Sequence, residues 1–220
     1  MKLASFNIND INRRLTNLLG WLREAEPDIV CLQELKTTDG DFPAEAMREA
    51  GYHAVWRGEK RWNGVAILAR WTPVPTRQEL PGDPDDGQSR YLEAAVNGVL
   101  VASIYAPNGN PQPGPKFDYK LGWLKRLTAH AAELYASGAP VVLAGDYNVV
   151  PTDLDIYPTK SWIGTPCCSP RAAPPISAFY RRAGATPFGR CIPKCRCTRS
   201  GTTCGTVGSV TAACVLTTFC

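Results

Sequence analysis

A chain of 220 residues with 44% apolar side chains is long enough for one sizeable domain, and its composition excludes collagen-like, coiled-coil and wholly disordered classes. No apolar run approaches the roughly eighteen residues of a membrane span. The opening MKLASFNIND turns polar too early for a secretory leader, so a cytoplasmic protein free of membranes is expected.

In chain order, LASFNI (3–8) reads as a strand, and Asn9 or Asp10 can cap the helix after it. Leu15, Leu18, Leu19 and Leu22 recur at helical spacing, and Pro27 ends that stretch. DIVCLQEL (28–35) reads as a buried strand, 43–50 as a short helix stopped by Gly51, and 53–57 and 64–69 as two further strands. Residues 80–89 form a loop. Residues 90–96 and 99–106 make a hairpin across Asn97-Gly98. A Pro- and Gly-rich loop, 107–115, leads to an amphipathic helix over 116–135 with Leu121, Leu124, Leu127 and Ala131 inward. A buried strand, 140–144, then runs into Gly145-Asp146-Tyr147-Asn148.

The net charge of +4 hides a division after Trp162. Residues 1–162 carry 17 Lys plus Arg against 20 Asp plus Glu; residues 163–220 carry seven basic residues, no acid, and eight of the nine cysteines. Cys31 alone in the first part suits a reducing compartment, whereas the density beyond it would suit a disulfide scaffold, so the two parts require separate readings.

Chemistry-bearing residues of the first part gather at predicted strand ends. Asn7 and Glu34 lie near the ends of the first two strands, Tyr105 and Asn108 flank the end of the hairpin, and Asp146, Asn148, Asp153 and Asp155 come after the last strand. Carboxylates and carboxamides meeting at one rim would form a hard-oxygen site for Mg²⁺ or Mn²⁺, which suits phosphoryl chemistry. Each also has a plain structural reading, since Asp and Asn are common turn formers and Tyr105 could simply pack. A carboxylate at an apolar strand end, as at Glu34, is harder to explain that way.

PDIVCLQELK (27–36) resembles the first signature of the exonuclease III and apurinic/apyrimidinic endonuclease family. SFNIN (5–9), GVAIL (64–68), YAPNGN (105–110) and GDYNVVPTDLDIY (145–157) agree with it in that family's order. QSRYLEA (88–94) and KFDYKLGWLKRL (116–127) resemble its bacterial exonuclease III branch. The resemblance implies an α+β, four-layer α/β/β/α sandwich of the DNase I-like kind, with residues 1–162 forming the N-terminal part of the catalytic domain. It implies a Mg²⁺-dependent (or Mn²⁺-dependent) phosphodiesterase that acts on double-stranded DNA as a 3′–5′ exonuclease or at abasic sites, working as a monomer. By the same resemblance Glu34 is a metal ligand, Asn7, Asp146 and Asn148 belong to the same metal site, and Tyr105 is the catalytic tyrosine beside the scissile phosphate. Asp146 orients or deprotonates the attacking water and joins the metal site, and Asn148 binds a phosphoryl oxygen there. Arg90, Asn108 and Lys116 are DNA-binding candidates.

The resemblance breaks after Trp162. The family continues with FWDY-like, LRIDHLL-like and SDHAP-like segments, the last supplying an aspartate and the catalytic histidine, and none occurs as written. His53 and His130 lie outside every motif. The spacing C-x3-C-x-C-x6-C from Cys191 to Cys204 matches no standard zinc module. A shift of reading frame accounts for more. Ser200-Gly201-Thr202-Thr203 can be encoded as TCT GGG ACT ACN; moved back one base this reads F-W-D-Y. Cys214–Cys220 regroups on the same offset to L-R-I-D-H-L-L, and the stretch from Ile163 to DRYAVLQPESRAAYQRLL. Residues 163–220 are therefore read as an out-of-frame tail, and the sandwich is expected to be incomplete at its C-terminal end, with an open sheet edge and an impaired or catalytically dead nuclease. A non-catalytic DNA- or metal-binding protein, its basic tail engaging phosphate or zinc, is the alternative.

Overall fold

The computed structural model describes residues 1–149, 165–169 and 171, and the backbone of 211–216. Two sheets lie face to face. The first has strand order β1-β2-β4-β3, with β1 Leu3–Asn7, β2 Ile29–Gln33, β3 His53–Arg57 and β4 Val65–Ala69. The second runs β5-β6-β7-β8-β9, with β5 Val74–Arg77, β6 Tyr91–Val96, β7 Val99–Tyr105, β8 Val141–Asp146 and β9 Thr211–Leu216. Helices α1 (Leu15–Ala25), α2 (Ala44–Glu49) and α3 (Pro115–Ala136) complete the architecture.

Alternation along the strands produces the layers. On β2, Val30 and Leu32 face Leu18, Leu22 and Met47 of α1 and α2, while Ile29 and Cys31 face the other sheet. On β7 and β8, Ala102, Ile104, Val141 and Leu143 pack under Trp123, Leu124, Leu127 and Ala131 of α3, while Val101, Val142 and Ala144 close the space between sheets. The order is helix, sheet, sheet, helix, the four-layer sandwich that the sequence resemblance implied. Burial in the middle layer pushes the Cys31 thiol up to about 12, so it stays a neutral apolar filler.

Each sheet contains one parallel pair joined by a helical crossover: β1 to β2 through α1, and β7 to β8 through α3. Parallel pairing brings the carboxyl ends of both strands to the same rim, and this positions the polar residues at those ends.

Local details differ from the sequence reading in three places. Helix α1 begins at Leu15 behind Arg14, with no side-chain cap; Asp10 instead accepts the Arg13 N–H at 3.1 Å in the preceding turn. Strand β5 has no counterpart in the sequence reading, because its four residues are exposed on the sheet edge, where no apolar pattern is needed. The expected open edge of β8 is covered: β9, from the tail, pairs with it antiparallel, Thr211 opposite Asp146 and Leu216 opposite Val141. The Cys191–Cys204 spacing and the acids Asp153 and Asp155 lie outside the described residues.

Gly145 shows how tightly β8 is seated. A Cβ there would fall 1.9 Å from the Ile104 carbonyl oxygen and 2.7 Å from its carbon, both backbone atoms of the neighbouring strand. Side-chain repacking cannot relieve that overlap. Gly145→Ala is expected to cost about 3 kcal/mol or more in a urea titration. Gly122→Ala, on α3 with nothing within 4 Å of the new methyl, is expected to be neutral or to stabilise by up to about 1 kcal/mol. Equal midpoints for the two variants would show that the β7–β8 contact is looser than this spacing requires.

Candidate active site

Four strands of the two parallel pairs deliver one polar side chain each to a common rim. Asn7 ends β1, Glu34 comes directly after β2, Tyr105 ends β7 and Asp146 ends β8. Asn7 Nδ2 donates to Glu34 Oε1 at 2.8 Å and to Asp146 Oδ2 at 3.1 Å, tying the two sheets together through residues 139 positions apart. The Tyr105 hydroxyl donates to the same Glu34 Oε1 at 2.8 Å, and Lys36 Nζ pairs with Oε2 at 2.8 Å. Asn148 donates its backbone N–H to Asp146 Oδ1 at 3.0 Å and its Nδ2 to the Ala106 carbonyl at 2.8 Å.

The backbone around the rim is unusual for non-glycine residues. Glu34, Lys36 and Asn148 take φ values of 55°, 53° and 49°, as do Asn9 at 50° and Asp10 at 82°. Left-handed residues cost free energy that surrounding structure must overcome, and they turn side chains out of the strand direction. Here that turn lets Glu34 face Asn7 and Tyr105 instead of continuing the alternation of β2.

The two carboxylates differ in electrostatics. Burial alone would raise Glu34, but hydrogen bonds from Lys36, Asn7 and Tyr105, and the Lys36 charge, hold it below the usual range. Asp146 is only 1% exposed; burial pushes it up to about 6, against the opposing hydrogen bonds from Asn7 and the Asn148 N–H. Burial next to Glu34 pushes the Tyr105 phenol well up, so it remains a proton donor. Arg90 lies 4.9 Å from the Tyr105 ring centroid and donates to Gln88 Oε1 at 2.7 Å. It braces the site wall.

Thus Asn7, Glu34, Tyr105, Asp146 and Asn148 are brought together, with Arg90 against them. Asn7 turns its amide nitrogen to the carboxylates, while its Oδ1 accepts the Asn9 N–H at 3.1 Å. Asn108 and Lys116 lie further out, on the 107–115 loop and at the start of α3, both exposed. Neither histidine belongs to the rim: His53 is exposed at the start of β3, and His130 is buried against Glu93 and Tyr91, both at 3.1 Å.

Two residues emerge that the sequence reading did not assign. Lys36 is the one cation paired with Glu34 among the described residues, and it also donates to Asn9 Oδ1 at 2.6 Å. Lys120, fully buried on α3, donates to the carbonyls of Asn108 (3.1 Å) and Asn148 and so fixes both loops beside Asp146. Its signal was available: position 120 falls on the inward stripe of Leu124 and Leu127, where a lysine requires a polar partner.

No group of three or more His, Cys, Asp or Glu among the described residues is arranged so that it could hold a metal ion by itself. Two carboxylates with amide groups nearby still fit a Mg²⁺-like ion, which keeps several waters and commonly takes one or two protein carboxylates.

Comparison with known proteins agrees with this geometry. The model of the endonuclease/exonuclease/phosphatase family matches residues 4–203. Exodeoxyribonuclease III of Haemophilus influenzae is 34% identical over 191 residues, covering 83% of this chain and 71% of that protein. An AP endonuclease from Archaeoglobus fulgidus superposes with a TM-score of 0.77 at 32% identity, covering 83% of this chain and 70% of the other. A 3′–5′ exonuclease from Neisseria meningitidis superposes with 0.76 at 38% identity, covering 82% and 71%. The fold, the ordered motifs and these likenesses converge: the chain belongs to the endonuclease/exonuclease/phosphatase family.

Proposed function

We propose that this chain is a divalent-metal-dependent DNA-repair nuclease that hydrolyses phosphodiester bonds at 3′ ends or abasic sites of double-stranded DNA. The observation that carries the reading is the joining of Glu34 and Asp146, from different sheets, through Asn7. The relatives' names, exodeoxyribonuclease III, AP endonuclease and 3′–5′ exonuclease, support the substrate class. A cytoplasmic monomer is part of the same proposal and rests on the family resemblance. No helix among the described residues is long and apolar enough to cross a membrane.

In this reading Glu34 and Asp146 would hold Mg²⁺ or Mn²⁺, and the ion would supply charge stabilisation at the phosphoryl oxygens. Asp146 would also orient the attacking water or take its proton, the role the family resemblance gives it. Asn7 keeps the two carboxylates at a fixed separation. Tyr105, held protonated, and Asn148, one of whose two Nδ2 hydrogens goes to Ala106, border the phosphate. Arg90, against the rim, and Asn108 and Lys116, further out, would contact the DNA backbone.

The test is incision of an abasic-site duplex and of a recessed 3′ end with Mg²⁺, with and without chelator. Glu34→Gln is expected to reduce chelator-sensitive incision about 10²-fold or more, since it removes a carboxylate that opposes Lys36 and would hold the ion. Incision that survives chelator, or is unchanged in Glu34→Gln, overturns the reading.

A further inference from the structure

Beneath the rim lies a second, smaller polar layer. Gln33 is fully buried and follows Ile29 and Cys31 on the face of β2 that meets the other sheet. Its Nε2 donates to Ser5 Oγ on β1 and to Ser103 Oγ on β7, each at 3.2 Å. Ser103, also fully buried, donates its hydroxyl to the Leu32 carbonyl at 3.1 Å. The amide of one sheet and the serine of the other therefore clasp each other across the middle layer. A polar trio inside a layer built from Ile67, Val101, Val142 and Ala144 needs an explanation.

The trio matches the rim strand by strand. Ser5 lies two residues before Asn7, Ser103 two before Tyr105, and Gln33 one before Glu34. At strand spacing this level sits about 7 Å below the rim. Ala144, opposite Ser103 on β8 and two residues before Asp146, completes the level without a polar group. Stability does not account for the amide. Its two bonds are at the long end of hydrogen-bond geometry, and Gln33 Oε1, buried as well, meets no donor among the described residues. A buried acceptor without a donor costs free energy that an apolar side chain of the same length would not incur. What the amide adds is a fixed distance, which non-directional apolar contact does not supply.

We propose that Gln33 is a positioning residue: with Ser5 and Ser103 it sets the separation of the sheets beneath the rim, and so holds Glu34 and Asp146 at the spacing a divalent ion requires before the ion arrives. The inference rests on the metal-dependent nuclease reading and deepens it, by naming a group that acts only through other residues. Asn7 ties the two carboxylates together at the rim itself; the Gln33 clasp fixes the strands that carry them. Groups that orient metal ligands from behind are commonly worth about 10- to 100-fold in metal affinity.

The experiment measures Mn²⁺ binding to the full chain, from the paramagnetic resonance signal of the ion, beside urea titrations of the same proteins without metal. Gln33→Met, similar in length and unable to clasp either serine, is expected to weaken Mn²⁺ binding about tenfold or more while its urea midpoint stays at or above that of the parent chain. Ser103→Ala, a smaller change, is expected to weaken binding in the same direction. The double variant is expected to bind no more weakly than Gln33→Met alone, because both substitutions open one clasp. Unchanged Mn²⁺ affinity in Gln33→Met overturns the proposal. Losses that simply add in the double variant overturn it as well, and so does a midpoint that falls together with the affinity, the pattern of a general packing defect. If Gln33→Met binds as the parent chain does while Glu34→Gln loses the ion, the metal reading stands without the clasp; a parent chain that binds no Mn²⁺ overturns both.

Discussion

Replacing Asp146 by Asn is expected to lower metal-dependent incision by about 10³–10⁴-fold while making the metal-free protein more stable at neutral pH. The second effect comes from burial. Asp146 is pushed up from 3.8 to about 6 in the fold, so its charged form is disfavoured there. A raised acid contributes its full stability below its unfolded pKa and loses it as pH rises through the folded one. At pH 7 to 8 the wild-type chain therefore carries a penalty, with a ceiling of about 3 kcal/mol for a shift of this size. The amide removes that penalty, but one of its groups loses either the Asn7 or the Asn148 partner, worth about 1 kcal/mol. The expected net gain is about 1–2 kcal/mol at pH 7.5 in chelator, vanishing near pH 4. Urea titrations of both proteins at the two pH values measure it. Mg²⁺ should then stabilise the wild-type chain and not the variant. A variant no more stable than wild type at pH 7.5 would mean that burial does not penalise the Asp146 charge.

Moving the reading frame by one base after the Trp162 codon, and carrying it through an SDHAP-like segment, is expected to raise incision at least about 10³-fold over the present chain. The family resemblance implies a catalytic histidine from that segment. This chain has two histidines: His53 is exposed at the start of β3, and His130 is locked to Glu93 and Tyr91 beneath α3. Neither reaches Asp146, so the rim holds Glu34, Tyr105 and Asp146 with no imidazole from the described residues beside them. The shifted frame would also replace an acid-free stretch by one with FWDY and LRIDHLL, acids included. Sequencing the coding DNA across that codon and assaying both chains on one abasic-site duplex decides the matter. Equal activity would mean that the tail as written completes the site.

Much of the fold was legible in the apolar patterning: the unbroken run Ile29–Leu32 marks β2 as a strand buried on both faces, and Leu18 and Leu22, at helical spacing, mark α1. The Asn97-Gly98 turn was legible because both positions need a left-handed backbone, seen at φ 48° and 80°. Strand β5 left no trace because an exposed edge imposes no alternation. Lys120 was passed over because an inward lysine looks like a break in the stripe until its two carbonyl partners are seen.

Residue order by itself determined which side chains lie at strand ends and which family the motifs resemble, because both are local properties of short segments. Only the tertiary structure decided that Asn7 would grip Glu34 and Asp146 with its amide nitrogen, that Asp146 would be buried enough to hold its proton more tightly, and that residues 211–216 would cover β8. Those outcomes depend on the packing of one sheet on the other and on pairing between segments far apart in the chain, which no run of neighbouring residues encodes.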